Sequence, residues 1–120
     1  MAKILIADDE KDLILLLQSR LELKGFEVDI CFNGGDANEH VMANEYDLVL
    51  LDYFMPSLKG DEICENIREN DRTKKLPVII MTGHTDREEE FFKSRGADAV
   101  LYKPIDNEEL FEKIKALLNL

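Results

Sequence analysis

Short apolar runs and amphipathic stretches alternate along the chain from end to end. Five runs rich in Ile, Val and Leu predict strands over residues 3–7, 26–31, 47–51, 77–81 and 97–101. Most of them lack a polar/apolar alternation, so each strand is expected to be buried on both faces, as in a parallel sheet. Helical patterns fill the gaps. Leu13, Leu16, Leu17 and Leu21 share a face at i, i+3, i+4, i+8, and Leu110, Ile114, Leu117 and Leu118 repeat the pattern near the C-terminus. Ile63 and Ile67 mark a third helix, and Val41 and Met42 lie in a fourth.

The punctuation agrees. Gly25 falls where the first helix needs a left-handed residue to stop, and Gly96 can end the helix before the last strand. Thr85-x-x-Glu88 and Asp106-x-x-Glu109 read as helix-start capping boxes or their close relatives. Five βα units in this length predict a doubly wound α/β fold: a five-stranded parallel sheet between helices on both faces, joined by right-handed crossovers. Of the common strand orders, 2-1-3-4-5 suits five strands best.

Composition sharpens this picture by exclusion. The chain has 120 residues, enough for one domain (1–120), with 45% hydrophobic residues, which is ordinary for a globular core. Its 26 Asp+Glu against 15 Lys+Arg give a net charge of −11. That balance argues against direct nucleic-acid binding, which needs cations facing phosphate, and an anionic membrane would repel the surface. The opening run Ile4-Leu5-Ile6-Ala7 is too short for a secretory signal or a membrane span. Cys31 and Cys64 sit in no metal or redox motif and read as buried free thiols of a cytoplasmic protein.

The polar residues that follow the strands carry the chemistry, because open α/β sheets bind ligands beyond the carboxyl ends of their strands. Asp8, Asp9 and Glu10 follow the first strand, Asp52 the third, Thr82 the fourth, and Lys103-Pro104 the fifth. Singly, each has an ordinary explanation: a helix cap, a turn former, a loop hydroxyl, a surface lysine. Together, the order 2-1-3-4-5 brings Asp8, Asp9 and Asp52 to one edge, where they repel and raise one another's pKa unless a divalent cation sits among them. Oxygen ligands with open positions suit Mg²⁺ (or Mn²⁺), and a lysine and a hydroxyl beside them supply donors to phosphoryl oxygens.

At this point the chain resembles the receiver domain of two-component response regulators, including the chemotaxis regulator, over residues 4–118. The motifs are Asp8-Asp9, the stretch Leu51-Asp52-Tyr53-Phe54-Met55-Pro56 with Gly60 downstream, Met81-Thr82-Gly83, and Lys103-Pro104. The resemblance implies a flavodoxin-like three-layer sandwich, and 2-1-3-4-5 is already the known order of the chemotaxis member. It implies that Asp52 accepts a phosphoryl group from a phosphohistidine on a sensor histidine kinase or phosphotransfer protein. Asp9 and Asp52 are then direct Mg²⁺ ligands, Asp8 holds the ion directly or through water, and the Phe54 backbone carbonyl completes the protein share. Lys103 pairs with Asp52 at rest and with a phosphoryl oxygen afterwards, across a cis Lys103–Pro104 peptide, while Thr82 bonds another phosphoryl oxygen. The implied output surface is helix 4, strand 5 and helix 5, residues 86–118, facing a downstream protein or domain. The implied protein is a monomer or a weak phosphorylation-dependent dimer, a cytoplasmic signalling protein that assists only its own phosphorylation and dephosphorylation.

Val100 stands where the family commonly has Tyr or Phe, so the usual threonine–aromatic switch is in question; Tyr102, two residues on, reads as a surface tyrosine in preference to a replacement. Phe54 and His84, two residues past Asp52 and Thr82, flank the expected phosphoryl position, with Phe54 expected to shield it from water. Of Phe91 and Phe92, one is expected in the core and the other at a partner contact; His40 is expected at the surface. An aspartyl-phosphate phosphohydrolase is the first alternative, against which stand Phe54, where those enzymes usually have a second Asp, and the lack of room for a cap insertion. A phosphorylation-independent interaction module is the second, against which stands the retention of every acid, Thr82 and Lys103. The chain ends directly after the fifth helix, which fits a stand-alone regulator and a receiver taken from a longer protein equally.

Overall fold

The computed structural model describes residues 1–83 and 88–120. Five strands, β1 (Lys3–Ala7), β2 (Glu27–Cys31), β3 (Leu48–Asp52), β4 (Val78–Thr82) and β5 (Ala99–Tyr102), alternate with five helices, α1 (Lys11–Leu23), α2 (Gly34–Ala43), α3 (Gly60–Glu69), α4 (Glu89–Ser94) and α5 (Asn107–Leu118). The sheet is parallel throughout, in the order β2-β1-β3-β4-β5. Strands β3, β4 and β5 each run one residue further than the apolar pattern indicates, so Asp52, Thr82 and Tyr102 are strand residues. The ladder, with Asp52 beside Met81 and Thr82 beside Tyr102, carries the regular backbone to the site's edge.

The continuous apolar runs are explained by two cores. Leu5, Ala7, Val49, Leu51, Val78, Ile80 and Val100 pack on one face against Ala37, Val41, Ile63, Cys64, Ile67 and Phe92 of α2, α3 and α4. Their strand neighbours Ile4, Ile6, Leu48, Leu50, Ile79, Met81 and Leu101 point the other way, onto Ile14, Leu17, Leu21, Leu110 and Ile114 of α1 and α5. Alternate side chains thus serve opposite layers, so the central strands are apolar at nearly every position until their carboxyl ends.

One expectation fails here. The buried stripe of α1 is Ile14, Leu17 and Leu21, while Leu16 is 46% exposed and Leu15 49%. Residues 13–17 are all Leu or Ile, so the pattern could not set the helix's rotational phase. Gly25, at φ +95°, and Gly96, at φ +108°, follow α1 and α4 as expected. Asp106 caps α5 by accepting from the Glu108 amide at 2.9 Å, but no reciprocal bond from Glu109 completes a box. The other expected box begins at Thr85, outside the described residues; α4 starts behind Glu88, which makes no side-chain cap bond. Phe92 is fully buried and Phe91 packs partly buried beside it, so neither is left fully exposed. His40 is partly exposed on α2, with Nδ1 2.9 Å from Asp36 O and 3.4 Å from Cys31 Sγ. Cys31 and Cys64 are buried and free.

Arg68 fastens the edge of the sheet. Its guanidinium donates to Gly96 O at 2.9 Å, Leu76 O at 2.6 Å and Asp98 Oδ2 at 2.9 Å. Asp98 Oδ2 in turn accepts from the Val78 amide at 2.8 Å. A Cβ on Gly96 would lie 2.6 Å from Arg68 Cγ, so the glycine makes room for this side chain. Arg68→Ala should lower unfolding free energy by about 2–3 kcal/mol, because it strips charged donors from part-buried carbonyls. Urea denaturation checks this, and a loss below about 0.5 kcal/mol would show the bonds to be idle.

Candidate functional site

Asp8 and Asp9 leave β1, Asp52 ends β3, Thr82 ends β4 and Lys103 follows β5, so four neighbouring strand ends deliver one cluster. Asp8 is wholly buried, Asp52 is 6% exposed and Thr82 is fully buried, whereas Asp9 is exposed. One carboxylate oxygen from each of Asp8, Asp9 and Asp52 lies within 4.8 Å of the others.

The loop after β3 is pinned at both ends. The Tyr53 amide donates to Met81 O at 2.8 Å, and the Gly60 amide donates to Tyr53 O at 2.9 Å, closing the turn into α3. A Cβ on Gly60 would sit 2.4 Å from Asp52 O, so the absence of a side chain allows α3 to begin against the backbone of Asp52 itself. Phe54, on this loop, is 43% exposed, its ring 4.8 Å from that of Tyr53 and 4.9 Å from Lys59 Nζ.

Lys103 is the cation of the site. Its Nζ lies 2.8 Å from Asp8 Oδ2, 2.9 Å from Glu10 Oε1 and 3.3 Å from Asp52 Oδ1. Its own amide donates to Thr82 O at 2.8 Å, and the Lys103–Pro104 peptide is cis. The expected pairing with Asp52 is therefore present but is the longest of three. Glu10 is the residue the sequence reading passed over: it follows the two aspartates without an assigned role. Its clue was its place, since Glu is a poor choice for the residue before a helix, where Ser, Thr, Asp or Asn is preferred.

Electrostatics follow from this crowding. Burial, then the charge of Asp8, pushes Asp52 up to about 7, against the downward pull of Lys103. Burial acts to lower Lys103, but its contacts with Asp8 and Glu10 and the charges of Asp52 and Asp8 outweigh it and hold the lysine above its ordinary value. Asp8 is fully buried, and its Oδ2 has the Lys103 ammonium against it at 2.8 Å. One ammonium does not neutralise Asp8, Asp9 and Asp52 together, and the excess negative charge at this partly buried cluster is what a further cation would offset. The donor set is all oxygen, which suits a hard divalent ion.

Two other residues from the sequence reading take definite places. Val100 is buried in the core against α2, α3 and α4, and Tyr102 is 42% exposed at the end of β5. His84 lies outside the described residues.

Comparison with known proteins agrees with the fold and the motifs. A model of the response regulator receiver domain matches residues 4–115. The response regulator ArlR of Staphylococcus saprophyticus is 40% identical over 98% of this chain and 53% of its own length. The phosphate regulon transcriptional regulatory protein PhoB of Rhizobium meliloti is 35% identical over 97% of this chain and 52% of its own. The chain therefore spans about half the length of these curated relatives. Among solved structures, the response regulator TrrA of Thermotoga maritima, in complex with Mg²⁺–BeF, is 34% identical with a TM-score of 0.89, covering 98% of this chain and 100% of that one. A CheY-like receiver domain protein of Methanospirillum hungatei is 30% identical with a TM-score of 0.91, covering 99% of this chain and 94% of that one. With motifs, topology and family match in agreement, the chain belongs to the receiver-domain family of two-component response regulators.

Proposed function

We propose that this receiver accepts a phosphoryl group on Asp52, in a Mg²⁺-dependent reaction, from a histidine kinase or phosphotransfer protein. The observation that carries the reading is the meeting of Asp8, Asp9, Asp52 and Lys103 at adjacent strand ends, three carboxylates beside one ammonium. Asp8, Asp9 and Asp52, with the Phe54 carbonyl, would hold the ion. A bound Mg²⁺ supplies charge neutralisation for the carboxylates and the incoming phosphoryl oxygens.

The protein's own groups do the rest. A carboxylate oxygen of Asp52 attacks phosphorus in line; the new O–P bond forms as the N–P bond of the donor breaks, and the donor imidazole, already protonated on its other ring nitrogen, leaves as neutral imidazole. Lys103 turns to a phosphoryl oxygen, and Thr82 offers its hydroxyl to another. The phosphoryl group adds roughly −1.5 to −2 of charge at the end of β3. The segments that gain bonds to it shift, and the packed core turns that shift into a discrete change on the surface of α4, β5 and α5, which meets the output partner. No described helix is long and apolar enough to cross a membrane, and the reading places the protein in the cytoplasm with its donor and its output. On this reading residues 1–120 form a single receiver domain that assists only its own phosphorylation and dephosphorylation.

Incubation with a small phosphodonor, followed by intact mass, tests the proposal. One phosphoryl adduct should form with Mg²⁺ and little or none with a chelator. No adduct in either case would overturn it. The pH dependence of metal binding follows from Asp52. Because protonation of Asp52 competes with the cation, Mg²⁺ affinity should rise roughly tenfold between pH 6 and pH 8. Calorimetric titration checks this; equal affinities at the two pH values would show that Asp52 does not titrate between them.

A further inference from the structure

Lys103 serves the reading above, but one of its partners has no part in that reading. An ammonium has three N–H donors, and Asp8, Glu10 and Asp52 surround this one at 2.8, 2.9 and 3.3 Å. The two nearest carboxylates both come from the segment between β1 and α1. The lysine is therefore drawn toward α1 and stands farthest from the residue that takes the phosphoryl group.

Glu10 is built for this contact. It occupies the N-cap of α1, where a side chain ordinarily accepts a bond from the first helical amides, yet it makes no such bond. Its backbone is fixed instead: its amide donates to Asp8 Oδ1 at 2.9 Å, and its carbonyl accepts from the Ile14 amide at 3.1 Å. The carboxylate is left to reach across to Lys103. Glu10 also lies outside the group of Asp8, Asp9 and Asp52, so a cation bound there does not remove it as a partner of the lysine.

Resting on the phosphoacceptor reading of Asp52, we infer that Glu10 is a positioning residue that holds Lys103 toward α1 and competes with the phosphoryl group for its ammonium. The exchange is easy in one direction. The Glu10 side chain is 62% exposed and regains water when released, while Lys103, at 16%, stays inside the site. Glu10 acts as a brake on phosphorylation, with a strength in the range of a pair at the protein's rim.

Glu10→Gln keeps the length and an acceptor oxygen but removes the charge. With phosphoramidate as donor and Mg²⁺ fixed, its rate of adduct formation by intact mass should exceed wild type by roughly 1.5- to fivefold. Glu10→Ala should change the rate in the same direction. In a Lys103→Met background, Glu10→Gln should make no difference, because the effect passes through the lysine. An equal or slower rate in the Glu10→Gln protein would overturn the inference. So would an equal acceleration in the Lys103→Met background, which would assign the effect to repulsion of the donor. Absence of any adduct on wild type strikes the phosphoacceptor reading itself, whereas a normal wild-type adduct with unchanged Glu10→Gln kinetics strikes only the role of Glu10.

Discussion

Asp52→Asn should abolish the phosphoryl adduct and, without Mg²⁺, make the protein more stable than wild type. The first effect is a complete loss, because the amide offers no anionic oxygen to attack phosphorus. The second comes from the crowding of carboxylates. Asp52 is nearly buried beside Asp8, and its pKa stands at about 7 in the folded chain against 3.8 for an isolated aspartate. Between those values the folded protein binds more protons at Asp52 than the unfolded chain does, so this residue's contribution to stability falls as pH rises. Above pH 7 its full destabilising effect is present; as pH drops toward 4 the effect disappears. The variant should therefore gain about 2 kcal/mol at pH 8, or roughly 5–10 °C in Tm, with the gain shrinking toward pH 5. Lys103 keeps Asp8 and Glu10 as partners in the variant, so no cation is stranded. Thermal melts at the two pH values, with and without Mg²⁺, check this. A destabilised variant at pH 8 would show that the Lys103 pairing outweighs burial and repulsion.

Gly60→Ala should cost both stability and metal affinity. The new methyl would stand 2.4 Å from Asp52 O, 3.1 Å from Asp52 C and 3.2 Å from Tyr53 Cα, all of them backbone atoms that cannot rotate away. Relief requires moving either the start of α3 or the end of β3. The first breaks the bond from the Gly60 amide to Tyr53 O, and the second displaces Asp52 from Asp8 and Lys103. Overpacking of this kind costs about 3 kcal/mol. Mg²⁺ binding should weaken along with it, because a small misplacement of one ligand spoils the geometry a small divalent cation demands. Urea denaturation and calorimetric titration of the same sample test the two halves; a variant as stable as wild type would mean the backbone yields there freely.

These two predictions show what the amino-acid pattern carried and where it stopped. The strand runs were legible because a sheet covered on both faces needs apolar residues at every position, and Ile4 to Ala7 and Val78 to Met81 supply them. Asp8, Asp9, Asp52, Thr82 and Lys103 were legible as a group because each directly follows or ends a strand, and strand order alone then sets which ends are neighbours. The buried face of α1 was not legible, since five consecutive Leu and Ile residues fit several rotational phases equally. Glu10 was missed for a different reason. Its role depends on where a side chain from the end of β5, more than ninety residues away, comes to rest. Gly60 was placed in a motif, but its close approach to Asp52 O is a property of the folded backbone that spacing does not encode.

The central claim is that the phosphoryl group goes to Asp52. The direct test is to phosphorylate the wild-type protein with a small donor and Mg²⁺, reduce the acyl phosphate with borohydride, and locate the reduced residue by peptide mass spectrometry. The account predicts a single site, with Asp52 converted to homoserine and Asp8 and Asp9 untouched. Reduction at Asp8 or Asp9, or no reduced residue after an adduct has formed, would contradict it.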